Sequence, residues 1–507
     1  MSTINSKRIL IFQQRGWALK IGHFLAQKLQ AEGAILGAIT IKKTTHEFIA
    51  KQNDVSYKFL MYADEIKENP SKFLNPDTFS LEEICNDLGI DSIWPIVQAA
   101  RNHVKSYKDK YYYGYKQNIS DDEIIIYIKA IYKNIKNVFH DFKPDLIITP
   151  NFVGIQHILF NLYATKHNVT MLGVTDSKIR GHYLFIENYL DSRGLLFDRF
   201  KELEQGACSE NIDKAKKYYE SSKDKLQTPK DFDDFKNNGS LSLKEHIRQQ
   251  LSLCKGILRF LIGTSKNRLK NTGITLDYLP PKYLWRDYYR NNQYRKNANS
   301  FDYYPFSKIK KYIYFPLQFQ PEATIDVVSP RFNNQIETAR QVAMSLPDDY
   351  TLLVKDHPAM LGFRATSYLE KVAHTPNVKL VDYRIPAEEI LKKSAMVISP
   401  NSTTISEAAF LNIPAIQLGP LGTTLLLPNV FPHSDLSTLS GKIKEVLKHK
   451  FDSKHYDKSL LNFIAAVYDI GFDYDYVAAW EEGKTENIED LWLLYKKEIN
   501  RLLEKAK

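Results

Sequence analysis

Two short segments carry the residue types that hold and polarise a phosphate. One is Lys355-Asp-His-Pro358, which ends the apolar run Thr351-Leu-Leu-Val354. The other is Pro400-Asn-Ser-Thr-Thr404, between the apolar run Ala395-Met-Val-Ile-Ser399 and the helix-like Ile405-Ser-Glu-Ala-Ala-Phe-Leu411, with a second apolar run at Ala415-Ile-Gln-Leu-Gly419. That order predicts strand, polar turn, helix and strand, one βαβ unit with hydroxyls at the helix start. Free backbone N–H groups and the positive end of the helix dipole favour an anion there. Open α/β sheets bind ligands at the carboxyl ends of their strands, where this turn falls. A phosphorylated ligand is therefore expected on Asn401, Ser402, Thr403 and Thr404. A second reading stands beside this one: Thr404 and Glu407 have the spacing of a capping box, which needs no ligand.

His357 follows a strand, also at the ligand-binding end. A histidine there can donate to a phosphate and stabilise a departing one, its ordinary pKa lying near working pH. The competing role is capping the strand–loop junction, with Pro358 holding it. Lys355 either adds charge near the phosphate or is solvated. Glu322 and Asp326 follow the first strand of the same half; Glu322 is the candidate base toward a hydroxyl, or the stabiliser of a cationic centre, against a plain polar loop residue. Asp326 is the weaker choice. In the first half, Arg15 and Gly16 after one strand, and Asp176, Lys178 and Arg180 after another, are placed by position alone to line the opposite side. No Asp-x-Asp metal motif falls in a cleft-facing loop, and Ser120-Asp-Asp-Glu123 reads as a capping box. No metal and no cofactor is expected.

Positioning these residues takes two α/β halves. In the first, strands are expected at Arg8–Phe12, Ala34–Thr40, Pro144–Thr149 and Val169–Val174, with helices through Ile21, Phe24, Leu25 and Leu29 and through Ile155, Ile158, Leu159 and Leu162. In the second they fall at Lys311–Phe315, Tyr350–Lys355 and Val378–Val381, with helices at Gln335–Met344 and around Tyr368–Ala373. Strands alternating with helices imply mostly parallel sheets. Between the halves, Lys, Asn, Asp and Tyr dominate: 223–239 reads as a solvated loop, 242–268 as a basic helix, and 283–296 as a segment dense in aromatics and arginines. That mix suits an anionic membrane interface, against an ordinary helical insertion. The expected division is 1–195, 196–305, 306–483, and a final helix from 484 to 507 that packs back on the first half.

Composition limits the class. The 507 residues suffice for two or three domains, and 43% hydrophobic with 25% charged residues is ordinary for a globular chain. The net charge of +10 fits an acidic substrate, an anionic surface or plain solvation, and no nucleic-acid-binding motif accompanies it. Three cysteines, Cys85, Cys208 and Cys254, lack metal-ligand spacing and fit a reduced compartment. Without a visible signal peptide or membrane-spanning run, the expected location is cytoplasmic, with peripheral docking on the inner membrane face as the variant.

Tyr314-Phe-Pro-Leu-Gln-Phe-Gln-Pro-Glu-Ala-Thr324, then Val354-Lys-Asp-His-Pro358 with Gly362 and Arg364, Pro376-Asn-Val378, and Ser399-Pro-Asn-Ser-Thr-Thr404 with Glu407-Ala408, come in that order. Together they resemble the capsule polysaccharide biosynthesis family of bacterial surface-glycan glycosyltransferases, over roughly 311 to 432. The resemblance implies a GT-B fold, two Rossmann-like domains facing a central cleft, and transfer of a sugar from a nucleotide-sugar donor to a glycan or glycolipid acceptor. It implies His-Pro and Ser/Thr motifs on the nucleotide, as in Kdo transferases and bacterial polysialyltransferases, hence a slight preference for CMP-linked donors. It also implies Glu407 as the ribose-binding acid. The chain departs from the family pattern with Asp356 where Glu is commoner and with no glycine between Thr404 and Glu407. Two rivals share the fold: a nucleotide-sugar 2-epimerase, and a non-catalytic glycan-assembly subunit.

Overall fold

Runs that are apolar at every position, such as Ile9-Leu-Ile-Phe12, belong in parallel strands covered on both faces. The computed structural model describes residues 3–74, 79–100, 119–224, 226, 243–262, 280–481 and 487–505, and folds these runs into two six-stranded sheets. The first comprises β1 (Arg8–Gln14), β2 (Ile35–Ile41), β3 (Tyr57–Tyr62), β4 (Leu146–Ile148), β5 (Thr170–Asp176) and β6 (Tyr183–Ile186), in the order β3-β2-β1-β4-β5-β6. Only the β5–β6 pair is antiparallel. The second comprises β7 (Tyr312–Pro316), β8 (Thr351–Lys355), β9 (Val378–Val381), β10 (Val397–Ser399), β11 (Ala415–Gln417) and β12 (Val430–Pro432), in the order β12-β11-β10-β7-β8-β9. Both sheets reverse direction beside their first strand, between β1 and β4 and between β7 and β10. Such switch points open a crevice at the carboxyl edge. This is the GT-B arrangement of two Rossmann-like domains.

Side chains alternate across each strand. Ile9 and Ile11 join one core while Leu10 and Phe12 join the other. In the second sheet, Ile313 and Phe315 face one layer, and Tyr312 and Tyr314 the opposite one. The long helix Asp121–Asp141 starts at Ser120 with a reciprocal bond to Glu123, as the sequence pattern predicts.

The region between the halves is less separate than its composition suggests. Leu195–Glu204 and Ile212–Asp224 contribute Leu196, Leu203, Ala215 and Tyr219 to the core that holds Phe410 and Phe463 of the second half. Leu243–Ile262 and Pro281–Asn299 pair with each other. The second of these is fastened to the Thr366–Ala373 helix, Asn297 Nδ2 donating to Thr366 Oγ1 at 2.8 Å. Most of the expected 223–239 loop, and the last residues of the expected 242–268 helix, lie outside the described residues.

After the helix Ser453–Ile470 the chain crosses back. Tyr183 and Phe472 exchange backbone bonds of 3.0 Å. The helices Tyr476–Glu481 and Ile488–Lys505 then bury Tyr476, Trp492, Tyr495 and Ile499 against Ile9, Ile11 and Trp17. Trp17 Nε1 donates to Tyr476 Oη at 2.6 Å. The final helix thus packs back on the first domain.

Candidate functional site

The loop after β8 is built around a buried ion pair. Arg364 Nε lies 2.9 Å from Asp356 Oδ1, Arg364 Nη2 donates to the Gln318 carbonyl at 2.6 Å, and the guanidinium stacks 4.3 Å from the Tyr368 ring. Asp356 Oδ1 also accepts the His357 N–H at 2.8 Å. His357 is thereby fixed at the strand end and starts the tight turn Pro358–Met360, its Nδ1 accepting the Ala359 N–H at 3.2 Å. Pro358 occupies the first turn position, where its missing N–H costs nothing. An accepting Nδ1 places the proton of the neutral ring on Nε2. Burial, with Lys355 and Arg364 adding to it, pushes the His357 pKa down to about 4. This corrects the expectation of a histidine that titrates near working pH: the ring is a neutral hydrogen-bond donor. It is also a cap, the role the sequence set against ligand binding, through Nδ1.

The βαβ unit forms as predicted, with one correction. The helix Thr403–Phe410 is capped by Ser402, whose Oγ accepts the Thr404 N–H at 3.1 Å. Thr404 is inside the first turn and buried, and Glu407 is one helical turn further on rather than closing a capping box. The cap at Ser402 starts the helix two residues earlier than a Thr404–Glu407 box would and leaves the partly exposed Ser402 and Thr403 at its positive end. Asn401 is fully buried and engaged. Its Nδ2 donates to the Thr324 carbonyl at 3.0 Å and to Ser329 Oγ, and its Oδ1 accepts from Leu421 N at 3.2 Å and Gln417 Nε2 at 3.3 Å. It ties together the loops after β7, β10 and β11 and so holds the cradle's walls.

Lys355, at the end of β8, and Glu407, on the helix after β10, act on each other electrostatically across β7. Lys355 is 6% exposed and donates to the Ile385 carbonyl at 2.9 Å. Burial pulls its pKa down to about 8 although Glu407 and Asp356 oppose the shift. Burial drives Glu407 up to about 7, against Lys355, and its Oε2 is enclosed without a hydrogen-bond partner.

Glu322 lies in the loop after β7. Its Oε2 accepts from Thr324 Oγ1 at 2.8 Å, and its N–H donates to Asp326 Oδ2 at 3.1 Å. Asp326 is fully buried and also accepts from Gln320 Nε2 at 3.0 Å; it shapes this loop. Across the cleft, Lys178 pairs with Asp176 at 3.0 Å. Burial would lower Lys178, but Asp176, Asp191 and Glu322 outweigh it and hold the ammonium charged. The domains are joined at this seam, Gly422 N donating to Leu190 O at 2.9 Å and Asn333 Nδ2 to Gln98 Oε1 at 3.3 Å.

The other first-domain candidates divide. Arg15 is exposed at φ 50°, beside the buried Lys67. A Cβ on Gly16 would stand 2.9 Å from the Trp480 carbonyl, so that glycine admits the returning chain rather than a ligand. Arg180 is anchored through its backbone, its N–H donating to Tyr218 Oη at 3.2 Å. Sequence reasoning missed Asp191, which accepts from Thr175 Oγ1 at 2.8 Å and is pushed up to about 6 by burial, and nothing in its local sequence marks it. It also missed the buried pair Asp64 and Lys67 after β3. Their i,i+3 spacing is legible once β3 is recognised. Among the described residues no cluster of three His, Cys, Asp or Glu side chains is placed to hold a metal ion.

No protein-family profile matches this chain, and no curated protein does. Solved structures do align. UDP-GlcNAc 2-epimerase from Methanocaldococcus jannaschii is 14% identical over 88% of this chain and 94% of its own, with a TM-score of 0.23. Thermosulfurimonas dismutans KpsC, a beta Kdo 2,7 transferase, is 12% identical over 74% and 87%, with a TM-score of 0.33. A glycosyltransferase from Rickettsia africae ESF-5 is 11% identical over 99% and 100%, with a TM-score of 0.27. At these TM-scores the likenesses carry no argument about chemistry, and the strand orders above stand on their own.

Proposed function

We propose that this chain is a metal-independent glycosyltransferase that moves a sugar from a nucleotide-sugar donor to a growing surface polysaccharide, CMP-linked donors being the first to test and UDP-linked donors the second. The observation that carries the reading is a juxtaposition. The positive end of the Thr403–Phe410 helix, the His357 strand end and the Lys355–Glu407 pair share one carboxyl edge, with Glu322 facing Lys178 across the seam. In this reading Ser402, Thr403 and the helix N–H groups hold the donor phosphate, and His357 Nε2–H donates to it. Glu407 faces the ribose. Glu322, oriented by Thr324, takes the proton of the acceptor hydroxyl as that oxygen bonds to the anomeric carbon. The bond from that carbon to the phosphate oxygen breaks, its electron pair leaving with the nucleotide. Lys178, Asp176 and Arg15 lie on the acceptor side.

Incubation with a panel of nucleotide sugars, with and without glycan acceptors, tests this. Nucleotide release that depends on acceptor supports transfer. A changed sugar without acceptor points to epimerisation, and neither outcome points to a binding subunit. A thermal-shift comparison of CMP, UDP and GDP orders the donors, because a ligand specific to the native state raises the melting temperature.

A further inference from the structure

We infer that the paired helices Leu243–Ile262 and Pro281–Asn299 form a foot that docks on an anionic lipid surface, with the first helix lying in the interface. The sequence pointed to the arginine-rich 283–296 segment; the structure shifts the apolar contact to its neighbour. On the first helix, Leu253 is buried toward the pair, whereas Ile247, Leu251, Leu258, Leu261 and Ile262 are 50%, 65%, 57%, 57% and 82% exposed. With the exposed Cys254 between them, they recur at three- and four-residue steps and form one continuous stripe on the solvent side. Trp285 and Tyr289, one turn apart on the second helix, are also exposed.

The charge chooses the occupant. Lys244, Arg248, Lys255 and Arg259 are exposed on the same helix, which has a single acidic residue, Glu245. An apolar stripe flanked by cations of one sign, with indole and phenol rings nearby, matches the chemistry of an anionic bilayer surface. Long basic side chains can lay their stems on the acyl boundary and reach the headgroups. No described helix is long and apolar enough to cross a membrane, so the stripe would lie along the surface. The foot also touches the candidate site. A Cβ on Gly362, at φ 85°, would stand 3.0 Å from the Asn291 carbonyl, so the second helix rests on the loop that carries His357 and Arg364. Docking would therefore set the cleft's orientation to the bilayer. The inference needs nothing from the donor assignment.

Flotation of the full chain with phosphatidylcholine vesicles, with and without phosphatidylglycerol, tests it. The wild type should float only with the anionic vesicles, less so as salt rises. Leu251→Gln/Leu258→Gln/Leu261→Gln/Ile262→Gln should weaken partitioning on the order of a hundredfold or more without lowering the melting temperature, since these side chains face solvent. Ile262→Gln alone should cost a few-fold, which keeps the test open if the fourfold variant misfolds. Lys255→Gln/Arg259→Gln should erase the preference for phosphatidylglycerol. A wild type that stays unbound with anionic vesicles overturns the proposal, as does a fourfold variant that floats normally. An oligomer that the fourfold variant converts to monomer would make the stripe a contact between copies and would equally overturn it.

Discussion

Replacing His357 separates its two nitrogens. Nδ1 caps the Pro358–Met360 turn, and an N-cap is worth about 1 kcal/mol, so His357→Ala should lose stability of that order. Nε2–H is the donor proposed to meet the phosphate as its charge grows, and removing one positioned donor costs a factor of about 10² to 10³ in turnover. A third effect concerns pH. The folded pKa is about 4 against an ordinary 6.5, a depressed value, so the fold favours the neutral ring. Above the unfolded pKa both states are neutral and the stability is intact; below it the unfolded chain takes up a proton first, and stability is lost as pH falls from 6.5 through 4. At about 1.36 kcal/mol per unit the loss is at most about 3 kcal/mol, reduced by solvent reaching the partly exposed ring. His357→Asn keeps a capping oxygen and does not titrate, so its melting temperature should fall less steeply over that window. The assays are kcat at saturating donor and acceptor for the alanine variant, and thermal unfolding against pH for the asparagine variant. Near-wild-type kcat would remove His357 from the chemistry. An unchanged acid decline in His357→Asn would refute the claim that burial holds the ring neutral.

Glu322→Gln should lower turnover by about 10² to 10⁴ while nucleotide affinity, read by calorimetry, stays the same; undiminished turnover would end its role as base. Glu407 has a raised folded pKa, about 7, so its contribution is present below its unfolded pKa and lost as pH rises through 7. Glu407→Gln should accordingly match the wild type at about pH 4.5 and exceed it at about pH 8, by no more than about 3 kcal/mol less what Lys355 loses with its counter-charge; equal melting temperatures at the higher pH would count against it. Asn401→Ala removes the side-chain acceptor of Leu421 N and the side-chain donor to the Thr324 carbonyl, while Gln417 Nε2 keeps the Gly419 and Leu421 carbonyls. The expected loss is about 1 kcal/mol or more for a buried group left without its partner. A denaturant midpoint close to the wild type's would show that the three loops do not depend on this side chain.

What the sequence determined by itself was local. Gln335–Met344 and Val378–Val381 match their predicted bounds, because continuous apolar runs and 3.6-residue periodicity are properties of neighbouring residues. The Pro400–Thr404 turn was legible for the same reason, its hydroxyls lying next to the helix they start. Short or mixed strands were not: Tyr57–Tyr62 alternates half-exposed residues, and Tyr183–Ile186 and Val430–Pro432 take their identity from partner strands. The charge states of the candidate site were out of reach too. Lys355 and Glu407 are 52 residues apart in number, and the strand order that sets β7 between β8 and β10 brings them within electrostatic reach, where burial lowers the one pKa and raises the other. Ser402 rather than Thr404 became the cap, and Asn401 became a brace rather than a ligand contact, because the loop after β7 packs onto the turn. Charge, exposure and partner choice depend on what surrounds a side chain, and only the tertiary structure supplies those surroundings.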